Sequence, residues 1–337
     1  MMGWDAGKAV RRMEPKKVIL CKPNGFCAGV DRAIKIVDLA LEAYGPPIYV
    51  NHEIVHNHFV VDALAEKGAI FVDDLDQVPE GERLIYSAHG VGPEVREKAR
   101  SRKLRELDAT CPLVTKVHME AVRFARKGYH IFLIGHADHV EVIGTKGEVP
   151  DHTTVVEPLR GAALEPYIQS LPEPATNKLI YLTQTTLNVD DCLAVVDALK
   201  KRFPSLIGPP NDDICYATTN RQNAVKAVAG TVDFFLVVGA PISSNSKRLV
   251  EVARETGCNA ALIQDGEDLA GLSLRGCRRI GLSAGASTPE VLVQNAISSL
   301  AELGFEQVEE YLHIGESMHF TIPYHFRKDL AQKGIPV

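Results

Sequence analysis

The sequence lacks the features that would place the protein in or across a membrane. It contains no apolar run of roughly 18–20 residues, the length that a membrane span needs. Residues 1–15, MMGWDAGKAVRRMEP, also lack the apolar stretch of a secretory signal peptide. We therefore expect residues 1–15 to form a disordered extension and the protein to be cytoplasmic.

An excess of basic residues is also missing. The 337 residues include 37 Lys and Arg against 43 Asp and Glu, which gives a formal net charge of −6. A general binder of nucleic acid or of a membrane surface would need a basic face, so we expect neither partner. If the ligand is an anion, local side chains and backbone groups must hold it.

The cysteine pattern argues against a disulfide framework. The seven cysteines are an odd number, they are widely spaced, and no Cys-x-x-Cys pair occurs. A cytoplasmic protein keeps its thiols reduced, so the default expectation for each cysteine is a small buried apolar residue. Walker and dinucleotide-binding glycine signatures are absent as well, so no nicotinamide or flavin site is expected.

What the sequence does contain is a regular alternation of short β-branched segments and longer amphipathic segments. The predicted strands are Lys17–Cys21, Pro47–Val50, Arg83–Tyr86, Ile131–Ile134, Leu179–Leu182, Phe234–Val238 and Arg279–Leu282. The predicted helices are Asp31–Tyr44, Pro93–Arg102, Leu113–Lys127, Val189–Arg202, Thr219–Ala229, Ser246–Thr256 and Pro289–Leu303. Such alternation predicts an α/β fold with parallel sheets, and the length suggests two or three domains.

Three cysteines occupy equivalent points in this alternation. Cys27, Cys111 and Cys215 each follow a strand-like segment and begin a helix. The ordinary alternation of strands and helices in α/β proteins would explain part of the repeat. The alternative is three similar domains around a shared centre, at 29–111, at 112–211, and at 212–304 together with 16–28. The strand Lys17–Cys21 then completes the third domain, and a tail at 305–337 carries a strand-like Phe320-Thr321-Ile322.

Polar loops follow the strands at matching positions in the three repeats. They carry His56, His139 with Glu141, and Ser243, Ser244 and Asn245, and then His89, Thr185 with Thr186, and Ser287. Loops between a strand's carboxyl end and a helix bind ligands in open parallel sheets, and helix N-termini favour phosphate. Simpler roles stay open: a surface histidine at His56, a solvated acid at Glu141, and a helix cap at Thr185 or Thr186.

Three thiolates that converge from three domains would form a soft metal site, suited to zinc, copper(I) or an iron–sulfur cluster. A structural zinc site normally has four protein ligands and a closely spaced pair, which this pattern lacks. Three ligands to a four-iron cluster would leave one iron open for a substrate. The alternatives are a thiol- or zinc-dependent hydrolase of a phosphorylated substrate and an iron–sulfur redox sensor.

The stretches around these residues also carry a resemblance. In chain order they are GFCAGVDRAI at 25–34, HEIVHN at 52–57, SAHGV at 87–91, DATCPLVTKVH at 108–118, GHADHVEVIGT at 135–145, TQTTL at 183–187, DDICYATTNRQ at 212–222, SSNSKRL at 243–249 and AGASTPE at 284–290. Over roughly residues 16–305, the chain resembles the 4-hydroxy-3-methylbut-2-enyl diphosphate reductases, iron–sulfur enzymes of the LytB type that end the non-mevalonate isoprenoid pathway.

The resemblance implies a trefoil of three similar α/β domains, each with a small, mostly parallel sheet, around a central cluster. It implies that Cys27, Cys111 and Cys215 hold a [4Fe-4S] cluster whose remaining iron lacks a protein ligand and takes the substrate hydroxyl. The implied diphosphate ligands are His56, His89, Ser243, Ser244, Asn245 and Ser287. His139, favoured over His136, is implied to lie near the hydroxyl together with Glu141 and Thr185. Glu141 is implied to be the proton donor.

The implied reaction is the reductive dehydroxylation of (E)-4-hydroxy-3-methylbut-2-enyl diphosphate to isopentenyl and dimethylallyl diphosphate. Electrons would come from a separate protein, a flavodoxin or a ferredoxin with its NADPH reductase. One departure from the family is visible in His139-Val140-Glu141. The middle residue of this His-x-Glu stretch is commonly proline in the family, so the local rigidity of this chain differs there.

Overall fold

The computed structural model describes residues 15–211 and 213–336. The disordered extension predicted at 1–15 therefore lies outside the described residues, except for Pro15. Strands occur at β1 (Lys17–Lys22), β2 (Ile48–Asn51), β3 (Ala69–Val72), β4 (Arg83–Tyr86), β5 (Arg105–Asp108), β6 (His130–Ile134), β7 (Thr153–Val156), β8 (Leu179–Thr183), β9 (Leu206–Ile207), β10 (Phe234–Val238), β11 (Ala260–Ile263), β12 (Arg279–Ala284) and β13 (Gln307–Leu312).

The α-helices alternate with these strands along the chain. They are α1 (Ala28–Tyr44), α2 (His58–Glu66), α3 (Pro93–Ser101), α4 (Pro112–Ala125), α5 (Val140–Glu148), α6 (Leu164–Ser170), α7 (Val189–Arg202), α8 (Tyr216–Ala229), α9 (Ser244–Glu255), α10 (Glu290–Glu302) and α11 (Tyr324–Gln332). Within residues 15–211 and 213–336, none of the helices combines the length and the apolar character that crossing a membrane would require.

The strands form three separate sheets. Their strand orders are β11-β10-β12-β1-β13, β3-β2-β4-β5 and β7-β6-β8-β9, and the neighbouring strands pair in parallel. Parallel sheets need helices on their faces, so their central strands are apolar throughout. In β10, for example, Phe235 to Val238 are all fully buried. The prediction of an α/β fold with three small parallel sheets is confirmed.

The first and the last strand of the described chain lie side by side in the same sheet. Strand β1 lies between β12 and β13, with Val18 opposite Ile280 on one side and Val308 on the other. The strand-like interpretation of Phe320-Thr321-Ile322 is wrong, because no strand forms there. Instead, Ile322 is buried together with Phe326 and Leu330 of α11 in the hydrophobic core that surrounds α1 and β2.

The helices that follow the three equivalent cysteines begin earlier than predicted. Helix α1 begins at Ala28 and not at Asp31, α4 at Pro112 and not at Leu113, and α8 at Tyr216 and not at Thr219. In each case the N-cap residue is the cysteine itself. The prediction that each cysteine begins a helix is confirmed, but the predicted bounds were one to three residues late, because cysteine is not among the residues that usually mark an N-cap.

A fully buried cation ties α8 to two distant parts of the chain. The guanidinium of Arg221 donates to the carboxylate of Glu316 at 3.1 and 3.2 Å and to the carbonyl oxygen of Gly25 at 2.8 Å. Arg221 therefore links the loop that precedes Cys27 to the carboxyl-terminal segment. Removing one member of such a pair leaves the other as an uncompensated buried charge.

We predict that Arg221→Gln lowers the free energy of unfolding by about 3–5 kcal/mol. A matched control lies on the same helix, where Lys226 pairs with Asp190 at 2.7 Å on the surface. Lys226→Gln should cost less than about 1 kcal/mol. Anaerobic equilibrium unfolding in urea measures both values, and equal costs for the two variants would contradict the proposed anchoring by Arg221.

Candidate active site

The carboxyl ends of the three sheets face a common cavity. Cys27 follows β1, Cys111 follows β5, and Cys215 follows β9, and each caps the amino end of the next helix. His139 caps α5 and Ser243 caps α9 in the same way. The amino end of a helix carries a partial positive charge and free N–H groups, so five of these ends make the cavity suited to anions.

The cavity has a volume of about 100 Å³. Every side chain singled out from the sequence lines it: Cys27, His56, His89, Cys111, His139, Glu141, Thr185, Cys215, Ser243, Ser244, Asn245 and Ser287. His136 lies apart from this group, because its ring pairs with Glu157 at 3.2 Å. His118, inside α4, pairs with Glu148 at 3.0 Å.

All three thiols line this cavity. An ideal Cβ placed on Gly29 would lie 2.6 Å from the Cys111 sulfur and 3.9 Å from the Cys27 sulfur, so a glycine is needed to keep the space between them open. Among the described residues, no three His, Cys, Asp or Glu side chains converge tightly enough to hold a single metal ion. The thiols of Cys27, Cys111 and Cys215 therefore do not form a site for one ion as they are placed here.

Burial keeps the thiols of Cys111 and Cys215 protonated in the absence of a bound cation. It raises the pKa of Cys111 to about 12 and that of Cys215 to about 11, and the neighbouring sulfur of Cys27 adds to both effects. Backbone N–H groups at the helix starts act in the opposite direction. A thiolate ligand set therefore forms here only when a metal group supplies the compensating positive charge.

Three histidines form a second cluster in the cavity. The rings of His56 and His89 stack with their centroids 4.0 Å apart, and the ring of His139 meets that of His56 edge-on at 5.7 Å. Burial lowers the pKa of all three, to about 4 for His139 and well below the usual value for His89. At neutral pH the imidazoles are therefore uncharged, and each can donate one N–H.

Glu141 lies in the first turn of α5 and is 2% exposed. The backbone N–H of Thr185 donates to one carboxyl oxygen at 2.7 Å, and the Thr185 hydroxyl donates to the other at 3.0 Å. Burial raises the pKa of Glu141 to about 7, although the two bonds from Thr185 act against this shift. Near neutral pH the carboxyl group is therefore poised to hold or release a proton.

The remaining polar residues are fixed by bonds to one another. The Ser243 hydroxyl accepts from Ser246 N–H at 3.3 Å, and the Ser287 hydroxyl donates to the His56 carbonyl at 3.1 Å. The Asn245 carbonyl oxygen accepts from the backbone N–H of Ala286 at 2.9 Å. These bonds hold the hydroxyl and amide groups at the cavity wall before any ligand arrives.

The alternative of a helix cap at Thr185 or Thr186 is wrong. The cap of α7 is Asn188, whose side chain accepts from the N–H groups of Asp190 and Asp191. The two threonines instead lie at the cavity, where Thr186 donates its hydroxyl to Ser244 at 3.2 Å. Helix α5 was not predicted at all, because Gly144 and Gly147 weaken its helical pattern.

Three further residues near the cavity were not identified from the sequence. The Thr218 hydroxyl lies 3.1 Å from the Cys215 sulfur, and the Gln184 amide donates to Thr186 at 2.8 Å. Gly29 keeps the space between two thiols free. All three lie inside the stretches that carry the resemblance, but nothing in their residue type indicates a ligand role.

Comparisons with known proteins agree with this geometry. The family model described as LytB protein matches residues 18–301. The 4-hydroxy-3-methylbut-2-enyl diphosphate reductase of Streptomyces coelicolor is 51% identical over 320 residues, which cover 94% of this chain and 93% of the relative. The enzyme of that name from Mycolicibacterium gilvum is 50% identical over 96% of this chain and 95% of its own.

Solved structures extend the similarity to three dimensions. The E-1-hydroxy-2-methyl-but-2-enyl-4-diphosphate reductase from Plasmodium falciparum superposes with a TM-score of 0.90 and 41% identity, covering 95% of this chain and 99% of that one. A match of this extent includes all three sheets and the cavity between them. The chain described here belongs to the LytB protein family.

Proposed function

We propose that the protein is a 4-hydroxy-3-methylbut-2-enyl diphosphate reductase, which ends the non-mevalonate route to isoprenoid precursors. The observation that carries the proposal is a single cavity that joins three thiols, three uncharged histidines and a buried carboxyl group with a pKa of about 7. The substrate loses its hydroxyl group as water, and two electrons and two protons yield isopentenyl or dimethylallyl diphosphate. Relatives with this name, at 50–51% identity over nearly their whole length, support this assignment.

Cys27, Cys111 and Cys215 would hold a [4Fe-4S] cluster. When bound, such a cluster supplies single electrons and, at the iron that lacks a protein ligand, a Lewis acid for the leaving hydroxyl. Two observations support a cluster over a single zinc ion: no three side chains among the described residues are placed to hold one ion, and Gly29 leaves space beside the Cys111 sulfur. The amino ends of α1, α4 and α8 would stabilise the negative charge of the sulfurs.

The diphosphate of the substrate would bind to His56, His89, Ser243, Ser244, Asn245 and Ser287. Neutral imidazole N–H groups, hydroxyl groups and the N–H groups at the start of α9 are all donors. Because these donors are already fixed by contacts within the protein, little order is lost when the anion binds. Holding the diphosphate in this way places the hydroxyl end of the substrate toward the thiols.

Glu141 would act as the proton donor, with Thr185 and His139 beside the leaving hydroxyl. Hydroxide is a poor leaving group, so the C–O bond breaks with transfer of a proton to the oxygen. The Thr185 hydroxyl, 3.0 Å from the carboxyl oxygen, can pass that proton on and be reprotonated by Glu141. The electrons would come from a separate one-electron carrier protein, a flavodoxin or a ferredoxin with its NADPH reductase.

The thiol ligands can be tested one at a time. Cys27→Ser, Cys111→Ser and Cys215→Ser should each lower bound iron and abolish turnover, because the harder hydroxyl oxygen is a poor ligand for the cluster. Cys258→Ser and Cys277→Ser are the controls, since these partly buried cysteines lie outside the cavity. Anaerobically purified protein is assayed for iron, sulfide and absorption near ~400 nm, with about four irons expected per chain. Colourless wild-type protein that contains zinc would instead support the hydrolase alternative.

Glu141→Gln should preserve iron content and substrate binding but lower the single-turnover rate by a factor of about 10²–10⁴. The amide keeps the shape of the carboxyl group but cannot donate a proton in the same way. Anaerobic single-turnover kinetics with a chemical reductant measure the rate, and Glu157→Gln, next to His136, serves as the control. A wild-type rate in Glu141→Gln would remove Glu141 from the proton path.

The pH dependence provides an independent test of the same role. Glu141 must be protonated to act as an acid, and its pKa is about 7. The single-turnover rate should therefore be level below pH 7 and fall by about tenfold for each pH unit well above it. The residual activity of Glu141→Gln should show no such fall. A rate that rises through pH 7 would rule out the acid role.

A further inference from the structure

Helix α4 connects a proposed cluster ligand to an exposed surface of the protein. Cys111 caps its amino end, and Thr115, Met119 and Arg123 follow at intervals of one turn on the solvent side. Met119 is 67% exposed and lies about 12 Å from Cys111 along the helix axis at 1.5 Å per residue. This helix face is therefore the outer side of the wall that encloses the thiols.

Exposed cations surround this apolar side chain. Arg123, Arg126 and Lys127 lie at the carboxyl end of α4, and Lys35 on α1 and Arg327 on α11 lie at the opposite end of the same surface. None of the five forms an ion pair with another side chain in the described part of the chain. We refer to these five residues together with Met119 as the basic face.

Three adjoining grooves make the basic face continuous. The first runs beside α4 and contains Met119, Arg123, Arg126 and Lys127. The second shares Met119 and Arg123 with the first and contains Pro112 and Arg32. The third shares Arg32 with the second and contains Ala28, Lys35 and Arg327. The grooves thus pass the residues that directly follow Cys111 and Cys27, namely Pro112 and Ala28.

Basic residues outnumber acidic residues in these grooves. Asp108 pairs with Arg96 at 3.2 Å and Glu120 approaches Lys116 at 4.0 Å. Glu148 keeps its charge, because burial lowers the pKa of the neighbouring His118 and leaves that ring neutral. Asp31, in the third groove, has no ion-pair partner among the described residues. Eight Lys and Arg side chains line the three grooves against four Asp and Glu, so this surface is positive although the whole chain has a net charge of −6.

We propose that the basic face is the docking surface for the one-electron carrier, and that this carrier is an acidic protein. The inference rests on the proposed reductase function, which requires two electrons from outside the chain. Electron transfer slows steeply with distance, so a carrier should dock where the protein wall over the cluster is thin. Complementary charge speeds the encounter, and an exposed apolar side chain at the centre of the contact excludes water.

Each docking event would deliver one electron. Two reduced carriers are therefore oxidised per substrate, and the two protons and two electrons together release the hydroxyl group as water. Helices α1 and α4 both begin at thiol ligands and both border the basic face. A carrier bound to this face would therefore lie against the starts of these two helices. It would not cover the histidines that would hold the diphosphate. Substrate and carrier can then bind at the same time.

The test reverses charge on the basic face without touching the cavity. The double variant Arg123→Glu/Arg126→Glu is compared with Lys200→Glu/Arg275→Glu. Lys200, near the carboxyl end of α7, and Arg275, before β12, are exposed residues at the opposite edges of their sheets. Both variants change the net charge equally. Turnover is measured anaerobically with an acidic [2Fe-2S] ferredoxin, with a flavodoxin and with reduced methyl viologen as a small donor.

We expect Arg123→Glu/Arg126→Glu to raise the KM for the protein carriers by about tenfold or more and to leave turnover with methyl viologen at the wild-type value. Added salt should raise the KM of the wild type for the protein carriers and reduce the difference in KM between the wild type and Arg123→Glu/Arg126→Glu. The proposed docking surface would be refuted if Arg123→Glu/Arg126→Glu had a KM for the protein carriers no higher than that of Lys200→Glu/Arg275→Glu. Wild type that turns over with methyl viologen but with neither acidic carrier would also overturn it. No turnover with methyl viologen would instead refute the proposed function itself.

Discussion

The exclusion of water from the central cavity sets the charge of the Cys111 and Cys215 thiols, of the Glu141 carboxyl group and of three histidines. Burial raises the pKa of the Cys111 and Cys215 thiols, raises that of Glu141 to about 7, and lowers those of the three histidines. In the protein alone, the site is therefore close to neutral. It is arranged for charges that arrive with its ligands: a metal group that stabilises thiolates and an anion that accepts from neutral imidazole N–H groups.

Parallel sheets make this arrangement possible. In a parallel sheet the carboxyl ends of all strands lie at one edge, and the helices that follow begin at that edge. Three such edges meet at the cavity, so thiols, imidazoles, hydroxyl groups and five helix starts come from different parts of the chain. Helix α4 extends the same geometry outward, since it begins at Cys111 and presents Met119 and Arg123 to solvent. Arg221 ties α8 to the loop before Cys27.

Much of the fold could be predicted from the alternation of apolar segments. The strands Arg83–Tyr86 and Phe234–Val238 and the helix Val189–Arg202 have the predicted bounds, because buried strands and long amphipathic helices carry strong periodic signals. The edge strands β3, β7, β11 and β13 were not predicted, because they are only partly buried or exposed and carry a weaker apolar signal. Cys27, Cys111 and Cys215 were correctly predicted to begin helices, although the predicted helix bounds were one to three residues late because cysteine is not a usual cap residue.

The sequence by itself determined the repeat of strand, cysteine and helix, and it identified the residues that the cavity later brought together. It could do so because each of those residues stands directly after a strand, where a parallel sheet exposes its ligand-binding edge. The resemblance already favoured His139 over His136, and the structure places His139 at the cavity and pairs His136 with Glu157. Only the tertiary structure decided that Glu141 has a pKa near 7 and that Gly29, which has no side chain, leaves room for the Cys111 sulfur. Burial and close contact between distant segments set these properties, and neither is written in the local sequence.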